Sequence, residues 1–294
     1  MDIINKLRGT GVAIVTPFTK NNKIDFKGLE SIVSHLIRNK VNYIVGLGTT
    51  GESVNLSKKE KHDVMQCIVA SAGAKIPVVL GNGGNSTSAV MDAFDHFDLK
   101  GISAILSVSP YYNKPNQEGI FQHFKAIAQF SPLPILLYNV PGRTGSNITA
   151  ETTIRLALET SMIIGIKEAS GNLQQVIEIL AERPANFLVL SGDDALTLPI
   201  LACGGDGVIS VIGNAFPKAF SNLVRAALKG DLDQARQIHY QLLPFIDAIF
   251  ADGNPAGIKE LMHIQGLCEP HVRLPLVRVN EAVQRQLEDL LAQQ

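Results

Sequence analysis

The side chain with the sharpest chemical signature in this sequence is Lys167, which closes the apolar run Met162-Ile163-Ile164-Gly165-Ile166. Partial desolvation at such a place disfavours the ammonium and leaves an amine that can attack a carbonyl and form a Schiff base. A lysine there can also snorkel to solvent or pair with Glu168, and position alone does not choose between these. Tyr138 ends the run Ile135-Leu136-Leu137. A phenol can donate and accept a proton while a carbinolamine loses water, or it can simply cap a core. Thr49 and Tyr112 add two hydroxyls suited to a proton relay, although either alone would read as structural. The turn Gly48-Thr49-Thr50-Gly51 has glycines on both sides, so its backbone can approach a small carboxylate closely and aim N–H groups at it. An ordinary tight turn is the competing reading. Arg143 follows Pro141-Gly142 and offers a planar fork to a second carboxylate, against the alternative of a surface ion pair.

These groups act together only if the chain brings the ends of several apolar runs to one place. Eight β-rich segments recur at fairly regular intervals: Gly11 to Thr16, Tyr43 to Leu47, Pro77 to Leu80, Ala104 to Val108, Ile135 to Tyr138, Ile163 to Lys167, Phe187 to Leu190 and Gly207 to Val211. Each is almost continuously apolar, as strands buried on both faces must be. Helical patterns separate them over Phe26 to Asn39, Lys58 to Ala72, Ser86 to Asp98, Gln117 to Phe130, Ala150 to Thr160 and Asn172 to Arg183. Strand and helix alternate throughout, and closing the sheet removes both edges, so the expected fold is a (β/α)8 TIM barrel of the α/β class. In that fold the ends of the strands share one mouth. After the eighth strand the pattern is helical over Pro217 to Lys229, Asp231 to Ala251, Pro255 to Gln265 and Leu276 to Leu291. We therefore expect a barrel over residues 1–225 and a helical extension over 226–294 that packs on the barrel or on a neighbouring subunit.

Composition narrows the partners. A net charge of -1 with both signs interspersed leaves no basic stripe for nucleic acid or an anionic membrane. Met1 to Arg8 mixes charged and apolar residues, and no run approaches ~18 to 20 apolar residues, so neither a leader nor a membrane span is expected and the cytoplasm is the expected location. The three cysteines, Cys67, Cys203 and Cys268, are too far apart for a disulfide framework or a clustered metal site. The seven histidines are scattered, and neither HExxH nor a Gly-Lys-Ser/Thr phosphate loop occurs. No metal and no cofactor is expected, because a protonated imine withdraws electrons much as a Lewis acid would.

The motifs Ala13-Ile14-Val15-Thr16-Pro17-Phe18, Gly48-Thr49-Thr50-Gly51-Glu52-Ser53, Pro110-Tyr111-Tyr112-Asn113-Lys114-Pro115, Tyr138-Asn139-Val140-Pro141-Gly142-Arg143-Thr144-Gly145, Gly165-Ile166-Lys167-Glu168-Ala169 and Ser191-Gly192-Asp193-Asp194 occur in order along the chain. Together they resemble, nearly end to end, the dihydrodipicolinate synthase family within the pyruvate-dependent aldolases that include N-acetylneuraminate lyase. The resemblance implies a lyase that condenses pyruvate with L-aspartate 4-semialdehyde to 4-hydroxy-tetrahydrodipicolinate, in lysine and diaminopimelate biosynthesis. It implies Lys167 as Schiff-base former, Tyr138 as acid and base, and Thr49 and Tyr112 as relay. Thr50, Gly192 and Ile209 would contact substrate, and Arg143 would hold the semialdehyde carboxylate. It further implies a homotetramer of two tight dimers in which Tyr112 completes the neighbour's site. The alternatives are a sugar-acid or N-acetylneuraminate lyase of the same superfamily, or a keto-acid-binding barrel without turnover. Two departures are Asp252, where many members carry Glu, and Gly257, where many carry Pro.

Lysine-sensitive members bind that inhibitor with a set that maps onto Ser53, Val54, Lys58, Lys61, Asn85, Ala89 and Tyr111. The glutamate that pairs with its ammonium is Ala89 here, and Lys58 and Lys61 replace common histidines, while Glu52 or Asp92 remains as a substitute acid. A buried ammonium without a partner costs several kcal/mol. Feedback inhibition by lysine is therefore expected to be weak or absent in a steady-state assay, and inhibition at micromolar lysine would refute this.

Overall fold

The structure is a computed structural model that describes residues 3–293. Met1 and Asp2, included in the reading of the N-terminus, lie outside the described residues. Eight parallel strands close into a barrel in the order β1 to β8. They are β1 (Gly9–Ala13), β2 (Tyr43–Gly46), β3 (Val78–Gly81), β4 (Ile102–Val108), β5 (Ile135–Asn139), β6 (Ile163–Glu168), β7 (Leu188–Ser191) and β8 (Gly207–Ser210). Closure runs through β1 and β8, where Gly9 pairs with Gly207 and Val12 with Ser210.

The helices are α1 (Ile3–Lys6), α2 (Phe26–Arg38), α3 (Lys58–Ala72), α4 (Thr87–Asp92), α5 (Gln117–Phe130), α6 (Pro141–Thr144), α7 (Ala150–Glu159), α8 (Leu173–Glu182), α9 (Thr197–Ala202), α10 (Pro217–Leu228), α11 (Leu232–Ala251), α12 (Ala256–Ile264) and α13 (Glu281–Ala292). Most of the longer helices start at side-chain caps that satisfy orphan N–H groups. Ser57 and Glu60 form a reciprocal capping box at α3, and Asn116, Thr149 and Asn172 cap α5, α7 and α8.

Two apolar layers result from strand alternation. One cluster fills the barrel, with Tyr43, Val45, Val79, Leu106, Leu136, Leu190 and Ile209 among its members, and Leu7 with Ile3 and Ile4 packs against it at the amino-terminal end. The other lies between strands and helices and extends into Phe245, Ile249, Ile258 and Leu261 of the C-terminal helices. Tyr43 fits inside only because Gly11 faces it, since a Cβ at Gly11 would lie 2.2 Å from the ring.

Several boundaries differ from expectation. β1 begins at Gly9 and ends at Ala13, because Val15 and Thr16 turn to partners outside the sheet. The N–H of Val15 donates to Asn214 Oδ1, and Thr16 Oγ1 donates to the Gly51 carbonyl. The helix expected over Ser86 to Asp98 is α4 followed by a 3₁₀ turn at Ala93–His96. The last helix starts at Glu281 rather than Leu276, because Asn280 accepts from the N–H groups of Ala282 and Val283 and fixes the start there. Among the described residues no helix is long and apolar enough to cross a membrane.

Candidate active site

The phase of β6 decides which face its last residues occupy. Ile135 of β5 pairs with Ile163, but Leu136 pairs with Gly165, so the register slips by one residue at Ile164. Beyond that irregularity Tyr138 stands opposite Lys167, and Asn139 opposite Glu168. The first pair faces into the barrel, with Lys167 Nζ 4.4 Å from the centroid of the Tyr138 ring. Both are buried, at 5% and 7% exposure. The stem of Lys167 needs Gly192, where a Cβ would come within 2.9 Å of Lys167 Cε.

Asn139 and Glu168 turn to the other face. Glu168 accepts from Asn139 Nδ2 at 3.0 Å, from Gln175 Nε2 at 3.0 Å and from the Ser170 N–H at 2.7 Å. Burial raises its carboxyl above the usual range, against the pull of these hydrogen bonds. The ion pair with Lys167 that the sequence left open is not formed. Asn139 also accepts from the Ile148 N–H at 2.9 Å and donates to Asn147 Oδ1 at 2.8 Å, which fastens the loop carrying Arg143.

The turn after β2 is bounded by two residues in the left-handed region, Leu47 at φ 57° and Glu52 at φ 52°. That conformation costs a non-glycine residue ~1–2 kcal/mol, so packing must enforce it. It does so at Leu47, whose carbonyl oxygen approaches Gly81 so closely that a Cβ there would lie 2.4 Å away. Inside the turn, Gly51 N–H donates to the Gly48 carbonyl and Glu52 N–H to the Thr49 carbonyl, both at 3.1 Å. No hydrogen bond among the described residues uses the N–H of Thr49 or Thr50, so two adjacent donors remain for an anion.

Beside this turn lies a cavity of about 640 Å³. Thr49, Tyr138, Val140 and Arg143 line one part of it. Lys167 is not in the lining, but its amine lies 4.4 Å from the centroid of the Tyr138 ring, which is. Arg143 is exposed on the short helix α6 and has no ion-pair partner among the described residues, so the surface-pair reading is not met. Thr50 and Ile209 are buried at 2% and 0% exposure. Tyr112 is 88% exposed, on a left-handed φ of 73°.

Ser53, Val54, Lys58, Lys61, Asn85, Ala89 and Tyr111 all line the same cavity. Lys58 Nζ is 3.1 Å from His96 Nε2, and partial burial lowers the Lys61 ammonium below its usual range. Glu52 is unavailable to this wall because its carboxylate is bound to Lys259 at 2.6 Å. Asp92 does line the cavity.

The sequence profile of the Dihydrodipicolinate synthetase family matches residues 6–294. The chain belongs to that family. It is 48% identical over 287 residues to the 4-hydroxy-tetrahydrodipicolinate synthase of Parabacteroides distasonis, covering 98% of this chain and 97% of that one. It is 51% identical over 280 residues to the same enzyme of Flavobacterium psychrophilum, with 95% and 96% covered. Among solved structures it superimposes on dihydrodipicolinate synthase from Aquifex aeolicus with a TM-score of 0.94 at 38% identity, covering 98% of each chain. A monomeric dihydrodipicolinate synthase variant matches with a TM-score of 0.96 at 38% identity, over 99% of this chain and 98% of that one. The dihydrodipicolinate synthase family thus shares the whole architecture and not the barrel alone.

The residues to which the sequence assigns no role lie one layer behind the mouth. Asp194, noted above only as part of a motif, is one of them. Its Oδ2 accepts from the N–H groups of Val211 and Ile212 at 2.9 and 2.8 Å, tying the loop after β7 to the end of β8. Burial pushes its carboxyl up to about 6, against the pull of these bonds. The folded chain therefore holds this proton more tightly than the unfolded one, and the group's contribution to stability falls as pH rises from about 3.8 through about 6. Asp194→Asn should gain stability relative to the parent across that interval in urea unfolding at stepped pH. Parallel stability profiles for the two proteins would contradict this.

Proposed function

We propose that this chain condenses pyruvate with L-aspartate 4-semialdehyde to give 4-hydroxy-tetrahydrodipicolinate, with Lys167 as nucleophile. The observation that carries the reading is the buried, in-register pair of Lys167 and Tyr138, with the amine 4.4 Å from the ring centroid. In this scheme the Lys167 amine attacks C2 of pyruvate, and water leaves from the carbinolamine as Tyr138 moves protons. The imine draws electrons from C3, which loses a proton and adds as an enamine to the aldehyde carbon. The amine of the semialdehyde then attacks C2 and displaces Lys167, closing the ring and restoring the enzyme.

Both carboxylates have candidate partners. The unused N–H groups of Thr49 and Thr50 would take that of pyruvate, and unpaired Arg143 that of the semialdehyde. The exposure of Tyr112 supports its assignment to a neighbour's site, completing a Thr49–Tyr138–Tyr112 relay within a tetramer of two dimers. A biosynthetic role in the cytoplasm accords with this reading.

The test is turnover with pyruvate and each of three aldehyde classes: aspartate semialdehyde, N-acetylmannosamine and the aldehydes released from 2-keto-3-deoxy sugar acids. Aspartate semialdehyde should be preferred, and Tyr138→Phe should lower kcat by about 10²–10⁴-fold while leaving the fold intact. Preference for a sugar aldehyde would replace the substrate, and an unimpaired Tyr138→Phe would remove the acid–base role.

A further inference from the structure

The turn carrying Thr49 and Thr50 is held by more than its own barrel. Three contacts reach it from the chain after α11, between 204 and 221 residues away in sequence. Asn254 Nδ2 donates to Thr50 Oγ1 at 3.0 Å, Lys259 Nζ donates to Glu52 Oε1 at 2.6 Å, and the Arg273 N–H donates to Glu52 Oε2 at 3.0 Å. All of the side chains involved are buried: Thr50 at 2%, Glu52 at 1%, Asn254 at 7% and Lys259 at 0% exposure.

The two ends of this contact set do different things. Glu52 is in a left-handed conformation that a glutamate does not adopt freely, and its carboxylate is bonded at both oxygens. The Lys259 ammonium gives a second bond to the His271 carbonyl at 2.9 Å, so it joins the turn to the segment that follows α12. Asn254 acts on the hydroxyl itself. A hydroxyl has one proton and two lone pairs, and since Thr50 Oγ1 accepts from Asn254 its own proton is left to donate elsewhere. Asn254 Oδ1 has no partner among the described residues, so the bond to Thr50 is the one its amide makes there.

We infer that Asn254 is a positioning residue of the substrate site: by donating to Thr50 it turns the Thr50 hydroxyl proton toward the pyruvate carboxylate, while Lys259 and Arg273 hold the turn through Glu52. This rests on the pyruvate reading above. Removing Asn254 frees the hydroxyl to rotate, and Asn254→Asp, nearly the same size, offers only acceptors and draws the Thr50 proton to itself. A role in packing alone would tolerate the aspartate.

The experiment reads pyruvate occupancy directly, by borohydride trapping on Lys167 and intact-mass measurement across a pyruvate series. The proteins are the parent, Asn254→Ala, Asn254→Asp, Thr50→Val and the Asn254→Ala/Thr50→Val double variant. Each single variant should raise the half-saturating pyruvate concentration by about 10-fold or more, as expected for a lost hydrogen bond to a charged group. The double variant should be no worse than either single, because Asn254 acts through Thr50. An unchanged half-saturation in Asn254→Asp, or effects that multiply in the double variant, would overturn the inference. If Asn254→Ala does not fold, the aspartate and valine variants still decide it. Absence of an adduct on the parent protein would overturn the Schiff-base reading instead.

Discussion

The slip of register between β5 and β6 is the constraint on which the mouth of the barrel depends. Before it, Ile163 packs in the outer layer and Ile164 in the inner one. After it, Ile166 is outer again and Lys167 turns inward. One extra residue in a strand exchanges its two faces. Continued without the slip, the initial pairing would set Ile166 opposite Tyr138 and Lys167 opposite Asn139, with the amine among the helices and Glu168 in the barrel. Gly165 sits at this place, where a Cβ would lie 2.6 Å from the Leu188 carbonyl oxygen and 3.1 Å from Leu136 Cδ2. A side chain would force the three strands apart.

Around that fixed pair the structure divides polar groups by task. Those facing inward, Lys167 and Tyr138, are left with few competing partners, whereas those facing outward are densely bonded. Glu168, Asn139, Asn147 and Gln175 satisfy one another on the outer side, and an internally satisfied network gives a rigid support. The turn after β2 follows the same rule. Its backbone strain at Leu47 and Glu52 is held by a close approach at one end and by a buried ion pair at the other. Replacing such a pair by apolar groups is often neutral in stability, so geometry rather than stability is the stronger account of its presence.

Much of this was legible in the sequence, for a physical reason. Strands buried on both faces have to be apolar throughout, so the eight runs stand out, and the polar residues that end them mark the mouth. Lys167, Tyr138, Thr49 and Arg143 stand out this way, and the structure places each in a strand end or in the segment that follows one. The register slip was not legible, because a continuously apolar run carries no alternation from which phase could be read. α9 was missed because it is six residues long and contains Pro199. The start of α13 was misplaced because Leu276, Val277 and Val279 mimic a helical spacing, although Val277 is 67% exposed and the cap lies at Asn280. Asn254 and Lys259 left no local signal, since their partners are 204 and 207 residues away.

The most direct test of the account is a crystal structure of the protein reduced with borohydride in the presence of pyruvate. Density should run continuously from Lys167 Nζ into the substrate inside the barrel, with the substrate carboxylate against the Thr49 and Thr50 N–H groups. An adduct on another lysine, or a carboxylate seated away from that turn, would contradict it.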